Sequence, residues 1–173
     1  AAEFRDDQTG QHTRRVGTLF AALAAALGFT PGDVDLIRHA APLHDIGKIA
    51  IPDSILLKPG PLTTAEFEVI KTHTTAGAKM LAGSDFQLIR QAQEIALNHH
   101  ERWDGSGYPS GKARDEIPFA ARIVAVAGYF DALTSDRPYR AATPIRKVVG
   151  EIDAQAGRLF CPEVVNAFIG LGG

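Results

Sequence analysis

Histidine is the residue type through which this sequence could do chemistry. The chain has six histidines, and most of them extend helical stripes of apolar residues. His73 follows Val69 and Ile70, and His100 continues a stripe that begins at Phe86. Burying several imidazoles without a partner would be costly, and a shared metal ion supplies the partner, since imidazole and carboxylate bind Fe, Mn, Zn or Ni. The residues expected to share such a site are His12, His44, Asp45, His73, His99 and His100, which leaves His39 as a structural residue.

Four of these candidates occur as two adjacent pairs, His44-Asp45 and His99-His100. Neighbours on a helix diverge by roughly 100 degrees, so each can face a different ion, and a carboxylate can bridge two ions. Two ions about 3.5–4 Å apart form a clamp for phosphoester hydrolysis, in which one activates water and both neutralise phosphoryl oxygens. The spacing therefore favours metal-dependent phosphoester chemistry.

The elements that must position these side chains are predicted to be helices. The apolar periodicity is helical nearly throughout, and no segment shows strand alternation. Thr30 precedes Pro31, and Thr63 and Ser84 each stand three residues before Glu66 and Gln87, which predicts three helix starts. We expect an all-α bundle of about seven helices without a sheet, over residues 10–27, from 31 with an interruption at Pro42, 63–81, 84–101, 118–133, 144–155 and 162–170.

The composition limits the classes of function. A chain of 173 residues that is 45% hydrophobic and 22% charged suits one folded domain, and the net charge of −2 excludes a basic field for a DNA or RNA polymer. No apolar run is long enough to span a membrane. The single cysteine, Cys161, excludes an internal disulfide and fits a reducing cytosol. Because Met80 is the only methionine, we expect residues 1–173 to be one domain cut from a longer protein.

Several motifs together resemble one known family. His44-Asp45-Ile46-Gly47-Lys48 and the segment from His99-His100-Glu101 to Gly107-Tyr108-Pro109 resemble the signature of the HD-GYP family, a branch of the HD metal-dependent phosphohydrolases. The segment from Phe130-Asp131-Ala132-Leu133 to Arg140 resembles it as well. The likeness runs over residues 7–169 without an obvious gap.

The resemblance implies an HD-type helical bundle that hydrolyses cyclic di-GMP, usually joined to a sensory or receiver domain or another signalling partner. It implies a cluster of two or three metal ions, often iron, bridged by Asp45 and held by His12, His44, His73, His99 and His100. For this chain we expect one or two divalent ions, Fe or Mn. Lys48 would assist Asp45 in the chemistry, and Tyr108 would line the nucleotide pocket. Two arginines, Arg137 and Arg140, would hold the phosphates, for which their planar and permanently charged donors are suited.

Two positions depart from the family pattern. Gln8 stands where some members carry a glutamate that supports a third ion, so at most two ions are expected. Gly128 stands where the family has a metal-binding aspartate, and glycine coordinates nothing. Asp131 lies one turn further along, a displacement of roughly 4.5 Å that makes it a poor replacement.

The sequence therefore leaves two classes of function open. One is a phosphodiesterase, weakened by the missing ligand at Gly128, and the other is a degenerate module that binds cyclic di-GMP or a protein partner without turnover. The enzyme is favoured, because only one expected ligand is absent. A generic HD nucleotide phosphohydrolase is disfavoured by Gly107-Tyr108-Pro109.

Overall fold

The structure is a computed structural model that describes residues 11–136 and 141–172, with side chains from Val16 onward. These residues form nine α-helices and three 3₁₀ turns. The helices are α1 (Gln11–Ala26), α2 (Pro31–Ala40), α3 (Asp53–Leu56), α4 (Thr64–Lys71), α5 (His73–Met80), α6 (Gln87–Asn98), α7 (Phe119–Thr134), α8 (Ile145–Ala154) and α9 (Pro162–Gly170). The 3₁₀ turns are Ala41–Leu43, Ile46–Ala50 and Arg114–Glu116. No strand occurs within the described ranges, so the predicted all-α class is confirmed.

The core lies between α1, α2, α6 and the C-terminal helices. In α1 the fully buried side chains Val16, Phe20 and Leu23 follow helical spacing, as the sequence predicts. Helix α7 is buried on a wide face, with Ile123 and Val126 inaccessible to solvent. Both helices pack against each other and line the site described below. No helix in the described part of the chain has the length and apolarity needed to cross a bilayer.

Two predicted helix starts are confirmed and one is wrong. The Thr30 side chain accepts the N–H of Asp33, and Thr63 and Glu66 form a complete capping box. Ser84 does not cap a helix: its hydroxyl accepts the N–H of Phe86, and α6 begins at Gln87. The local pattern identified a turn there, but not the residue at which the helix starts.

The predicted helix over residues 63–81 is divided at Thr72. Each of the four side chains from Thr72 to Thr75 donates a hydrogen bond to the carbonyl three residues earlier. Such bonds compete with the helical ladder and bend the chain. The break lets His73 begin a new helix, α5, whose buried side includes His73 and Thr74.

The stripe predicted from Phe86 to His100 is also wrong. Phe86 is 78% exposed, whereas the buried side chains of α6 include Ala92, Ile95 and Ala96. This face continues into His99, and His100 lies beyond the end of the helix. The helix ends at Asn98, three residues earlier than predicted.

Candidate metal centre

Four of the predicted ligands converge in the structure. Asp45, His73, His99 and His100 each offer a ligand atom, and these atoms all lie within 4.8 Å of one another. Asp45 lies between two 3₁₀ turns, His73 begins α5, and His99 directly follows the last residue of α6 as its C-cap. His73 and His99 are buried, at 1% and 6% exposure. Residues separated by more than fifty positions thus meet in one cluster.

Gly47 allows this convergence. A Cβ atom at Gly47 would lie 1.9 Å from the carbonyl oxygen of His73 and 2.4 Å from the amide nitrogen of Gly77. Only a residue without a side chain lets the Ile46–Ala50 turn lie directly on α5. That contact brings Asp45, just before the turn, alongside His73.

Three histidines share one hydrogen-bonding arrangement. The Nδ1 atoms of His44, His73 and His99 lie 2.8, 2.7 and 3.0 Å from the backbone carbonyl oxygens of residues 41, 70 and 96. A carbonyl oxygen only accepts, so Nδ1 carries the proton and donates in each case. In the neutral ring Nε2 then presents a lone pair, and the backbone has selected the tautomer that binds a metal through Nε2.

The Nε2 lone pairs of His73 and His99 lie close to each other and to the Asp45 carboxylate. Nε2 of His73 lies 3.3 Å from Nε2 of His99 and 3.3 Å from Oδ1 of Asp45, and Nε2 of His99 lies 3.6 Å from the same oxygen. This buried Oδ1 receives no hydrogen bond of acceptable geometry from any described residue. Lone pairs facing a carboxylate repel unless a cation lies between them, so the donor set fits a transition-metal ion.

The electrostatics keep the imidazoles of His99 and His100 neutral and the Asp45 carboxylate charged. Burial lowers the pKa of His99 to about 4 and that of His100 to about 2, so both rings are unprotonated at neutral pH. Burial alone would raise the pKa of Asp45, but the charges of Lys48 and His44 hold it well below its usual value. Lys48 Nζ lies 2.9 Å from Oδ2 of Asp45. These are the protonation states that metal binding requires.

His44 lies on the other side of the same carboxylate. Its Nε2 is 3.3 Å from Oδ2 of Asp45, and its ring centroid is 5.0 Å from that of His99. Burial opposes protonation of His44, yet the neighbouring Asp45 raises its pKa overall. Asp45 therefore stands between His44 and the other three residues, where the sequence predicts a bridging carboxylate.

The loop after His100 folds back over the cluster. The backbone N–H of Tyr108 donates to the carbonyl of His100, and the Tyr108 ring stacks on the His100 ring. Gly107 is required at this fold, because a Cβ there would lie 2.3 Å from the amide nitrogen of Arg102. Burial raises the pKa of the Tyr108 phenol, which stays neutral.

Glu101 holds this loop, and the sequence analysis assigned it no role. It is 3% exposed, and its two carboxylate oxygens accept the backbone N–H groups of Ser110 and Lys112 at 2.8 and 3.0 Å. Lys112 in turn donates through Nζ to the Asn98 side chain. The signal in the sequence was an acidic residue directly after two candidate ligands and before a glycine-rich loop.

A cavity of about 330 Å³ opens beside the cluster. Its wall includes Asp45, Lys48 and His99 from the cluster side, and Gly128 and Asp131 from α7. The site is therefore a cavity between α7 and the histidines, with charged groups and imidazoles on part of its wall, and it is large enough to admit a phosphate group.

The comparisons with known proteins agree with this geometry. The HD domain family matches residues 1–164 of the chain. The chain belongs to the HD domain family. A cyclic di-GMP phosphodiesterase of Thermotoga maritima is 52% identical over 98% of this chain and 46% of its own length. The response regulator RpfG of Xanthomonas campestris, also a cyclic di-GMP phosphodiesterase, is 48% identical over 98% of this chain and 45% of its own. The predicted HD-GYP membership is confirmed by these relatives.

Another relative is named for a different cyclic dinucleotide. The 3'3'-cGAMP-specific phosphodiesterase 2 of Vibrio cholerae is 43% identical over 98% of this chain and 32% of its own length. The HD domain described here thus spans less than half the length of these relatives. Among solved structures, the HDGYP protein Bd1817 of Bdellovibrio bacteriovorus has a TM-score of 0.74 at 23% identity and covers 96% of this chain and 54% of its own, a likeness of fold.

Gly128 lies where this HD domain has room for a larger residue. A Cβ atom built on Gly128 meets nothing within 4 Å, and the residue faces the cavity. Asp131, one turn later, is 4% exposed and faces the same cavity. A Cβ atom at position 128 would therefore fit without displacing a neighbour, and a longer side chain there would begin at the cavity wall.

Three predicted site residues fall outside the described part of the HD domain. These are the side chain of His12 and the phosphate-binding arginines Arg137 and Arg140, and the same holds for Gln8. Their assignments remain predictions from the sequence.

Proposed function

We propose that this HD domain hydrolyses the phosphodiester bonds of cyclic di-GMP with the aid of divalent metal ions. The observation that carries the proposal is the convergence of His73 and His99 lone pairs on Asp45 beside a cavity. The relatives that match nearly the whole chain, named as cyclic di-GMP phosphodiesterases, support the substrate.

The ion-binding residues divide into two groups. One ion would be held by Asp45, His73, His99 and His100. A second ion would be held by His12, by His44 and by the second carboxylate oxygen of Asp45. Iron or manganese suits these nitrogen and oxygen donors. Ions bound there supply Lewis-acid stabilisation of the phosphoryl oxygens and lower the pKa of water.

The remaining residues bind and orient the substrate. Lys48 fixes the Asp45 carboxylate at 2.9 Å and places a positive charge at the cavity wall, where a phosphate would lie. Tyr108 covers His100 with a neutral ring. Arg137 and Arg140 would add fixed charges on the phosphate oxygens.

Gly128 supports a second candidate function. If the ion near His44 needs a carboxylate at position 128, this HD domain binds cyclic di-GMP and turns it over slowly or not at all. The open space at Gly128 favours this alternative, since no atom outside the neighbouring backbone of α7 lies within 4 Å of a Cβ at this position, and the carboxylate of Asp131 enters the cavity one turn later. We place the enzyme first, because the other predicted ligands that the structure describes converge.

The domain is proposed to act within a longer protein. The extra length of the relatives, one of which is named a response regulator, supports a further sensory or receiver domain that regulates it, which we place before this domain. The single cysteine, Cys161, is buried and suits a cytoplasmic setting.

Turnover by metal-loaded protein tests the proposal directly. The protein is purified without oxygen, loaded with Fe²⁺ or Mn²⁺, and incubated with cyclic di-GMP, and products are separated by chromatography. We expect linear dinucleotide or GMP, abolished by chelator and by Asp45→Asn. Tight binding without product would establish the second function instead, and neither binding nor product would overturn both.

A further inference from the structure

Helix α4 carries a large aromatic side chain that the core does not use. None of the residues of α4 is buried, and Phe67 at its centre is 43% exposed. The capping box of Thr63 and Glu66 fixes the start of this helix, and Lys58 adds an ion pair to Glu66 at 2.6 Å. An exposed ring on a well-anchored helix suggests a contact with something outside the core.

Phe67 lies against the loop that covers the metal cluster. Its ring centroid is 6.3 Å from that of Tyr108, at an angle of 82°. Lys71, one turn later on α4, places Nζ 5.1 Å from the Phe67 centroid and 5.6 Å from the Tyr108 centroid. Lys71 also pairs with Glu68 at 2.7 Å, which steadies its side chain. Two aromatic rings and one ammonium thus form a single patch.

The patch begins where the metal cluster ends. The Tyr108 ring stacks on His100 at 4.7 Å, and His100 belongs to the cluster. In a cyclic dinucleotide each base is one sugar away from a phosphate, so a phosphate at the cluster leaves a base within reach of this patch. Aromatic rings next to a cation are a common surface for stacking bases.

We propose that Phe67, Lys71 and Tyr108 form a subsite for one purine base of the cyclic dinucleotide. Phe67 stacks on the base, and Lys71 donates to the acceptors O6 and N7 of guanine, where adenine presents an amino donor in place of O6. The patch therefore binds guanine in preference to adenine. This inference rests on the proposed function, since it places a base relative to a phosphate at the cluster.

The experiment compares a ligand that carries a base with one that carries none. Metal-loaded wild type and Phe67→Ala are assayed with cyclic di-GMP, and inorganic phosphate, which has neither a base nor an aromatic ring, is titrated as an inhibitor and by calorimetry. We expect Phe67→Ala to raise the dissociation constant and KM for cyclic di-GMP about tenfold, as loss of one stacked base would. The dissociation constant of inorganic phosphate is expected to be unchanged, and Phe67→Trp is expected to restore cyclic di-GMP binding.

Two further variants sharpen the result. Phe86→Ala is the matched control, because Phe86 is an exposed phenylalanine directly before the first residue of α6. His99 follows the opposite end of this helix, about 18 Å from Gln87 at 1.5 Å per residue. This variant is expected to change the binding of neither cyclic di-GMP nor inorganic phosphate. Lys71→Met keeps the aliphatic stem and is expected to reduce the preference for cyclic di-GMP over cyclic di-AMP.

Three outcomes would overturn the subsite. Phe67→Ala could leave cyclic di-GMP binding unchanged, it could weaken the binding of cyclic di-GMP and of inorganic phosphate equally and so act on the metal centre, or Lys71→Met could leave the purine preference intact. Failure of the proposed function is distinguishable from failure of the subsite. If wild type binds cyclic di-GMP without hydrolysing it, the proposed hydrolysis is wrong, and the dissociation constants of wild type and Phe67→Ala still test the subsite. Wild type that fails even to bind cyclic di-GMP would overturn both.

Discussion

The ring of Tyr108 lies on the ring of His100, with centroids 4.7 Å apart and 22° between the planes. Burial, to which this cover contributes, lowers the pKa of His100 to about 2 and keeps the ring neutral. The backbone N–H of Tyr108 also donates to the carbonyl of His100. The conformation of the loop and the state of the candidate ligand are therefore coupled.

Glu101→Gln tests that coupling. The amide nitrogen of the variant would face one of two backbone N–H donors, from Ser110 or Lys112, and one buried donor would lose its acceptor. We expect a loss of about 1–3 kcal/mol in the free energy of unfolding and weaker metal binding. Urea unfolding followed by circular dichroism measures the first, and calorimetric titration with Mn²⁺ measures the second.

The single tryptophan reports on the same loop. Trp103 contacts Arg122, whose guanidinium lies 5.4 Å from the ring, so its emission is expected to shift in Glu101→Gln. Glu116→Gln is the control, because Glu116 also accepts a backbone N–H, from Ala113, but is exposed. Unchanged emission together with unchanged metal affinity would show that Glu101 does not position the loop.

Metal removal is expected to destabilise the domain. An ion that binds only the folded state, present at ~100 times its dissociation constant, adds about 2.7 kcal/mol to the free energy of unfolding. Chelator should therefore lower the melting temperature of wild type, and His99→Ala should reduce both the metal content and this difference. Elemental analysis and thermal unfolding give the two measurements.

His39→Ala is the control for that experiment. His39 is exposed, and among the described residues its ring bonds to Asp35 of the same helix, so its loss should leave the metal content unchanged. A folded wild type that takes up neither iron nor manganese would contradict the metal assignment.

The sequence predicts a helix start correctly where the capping residues are close in the chain and bond to each other. Thr63 and Glu66 form their capping box within one turn, so adjacent residues determine it. The predicted start of α6 at Ser84 is wrong, because the Ser84 hydroxyl accepts the N–H of Phe86 in a turn instead of capping the helix. The role of Glu101 depends on N–H groups nine and eleven residues away, and no periodicity reports such a contact. The histidine cluster was predictable because residue type carries the information there, while the patch around Phe67 needed the fold.

The start of α4 is expected to weaken in acid. Hydrogen bonds from Lys58 and from the Thr63 backbone lower the pKa of Glu66 from 4.5 to about 2. Between these values the unfolded chain binds a proton that the folded chain does not, so stability falls as pH drops from 4.5 to about 2. Urea titrations across this range should show a stability difference between wild type and Glu66→Gln that is full above pH 4.5 and shrinks toward pH 2. An equal difference at all pH values would contradict the assignment to the carboxylate.

Gly128→Asp is expected to strengthen the site near His44. The added carboxylate enters open space at the cavity wall, where a Cβ meets nothing within 4 Å. Loss of even an indirect metal contact costs ~10–100-fold in affinity or activity, so restoring a direct ligand should raise metal affinity by at least ~10-fold. Turnover of cyclic di-GMP should rise through kcat with little change in the dissociation constant, since the substitution adds nothing to base or phosphate binding.

Two other substitutions at position 128 separate the effect of the carboxylate on metal binding from the effect of a side chain on helix stability. Gly128→Ala should stabilise α7 by up to about 1 kcal/mol, because alanine favours a helix and the space is free, and it should not change metal affinity. Gly128→Asn has nearly the shape of aspartate without its charge and should also leave metal affinity low. A buried carboxylate without a cation is costly, so Gly128→Asp alone should unfold more readily in chelator and recover when Mn²⁺ is added. If aspartate and asparagine behave alike in metal affinity and in turnover, position 128 is not a ligand position, and Gly128 does not weaken the enzyme.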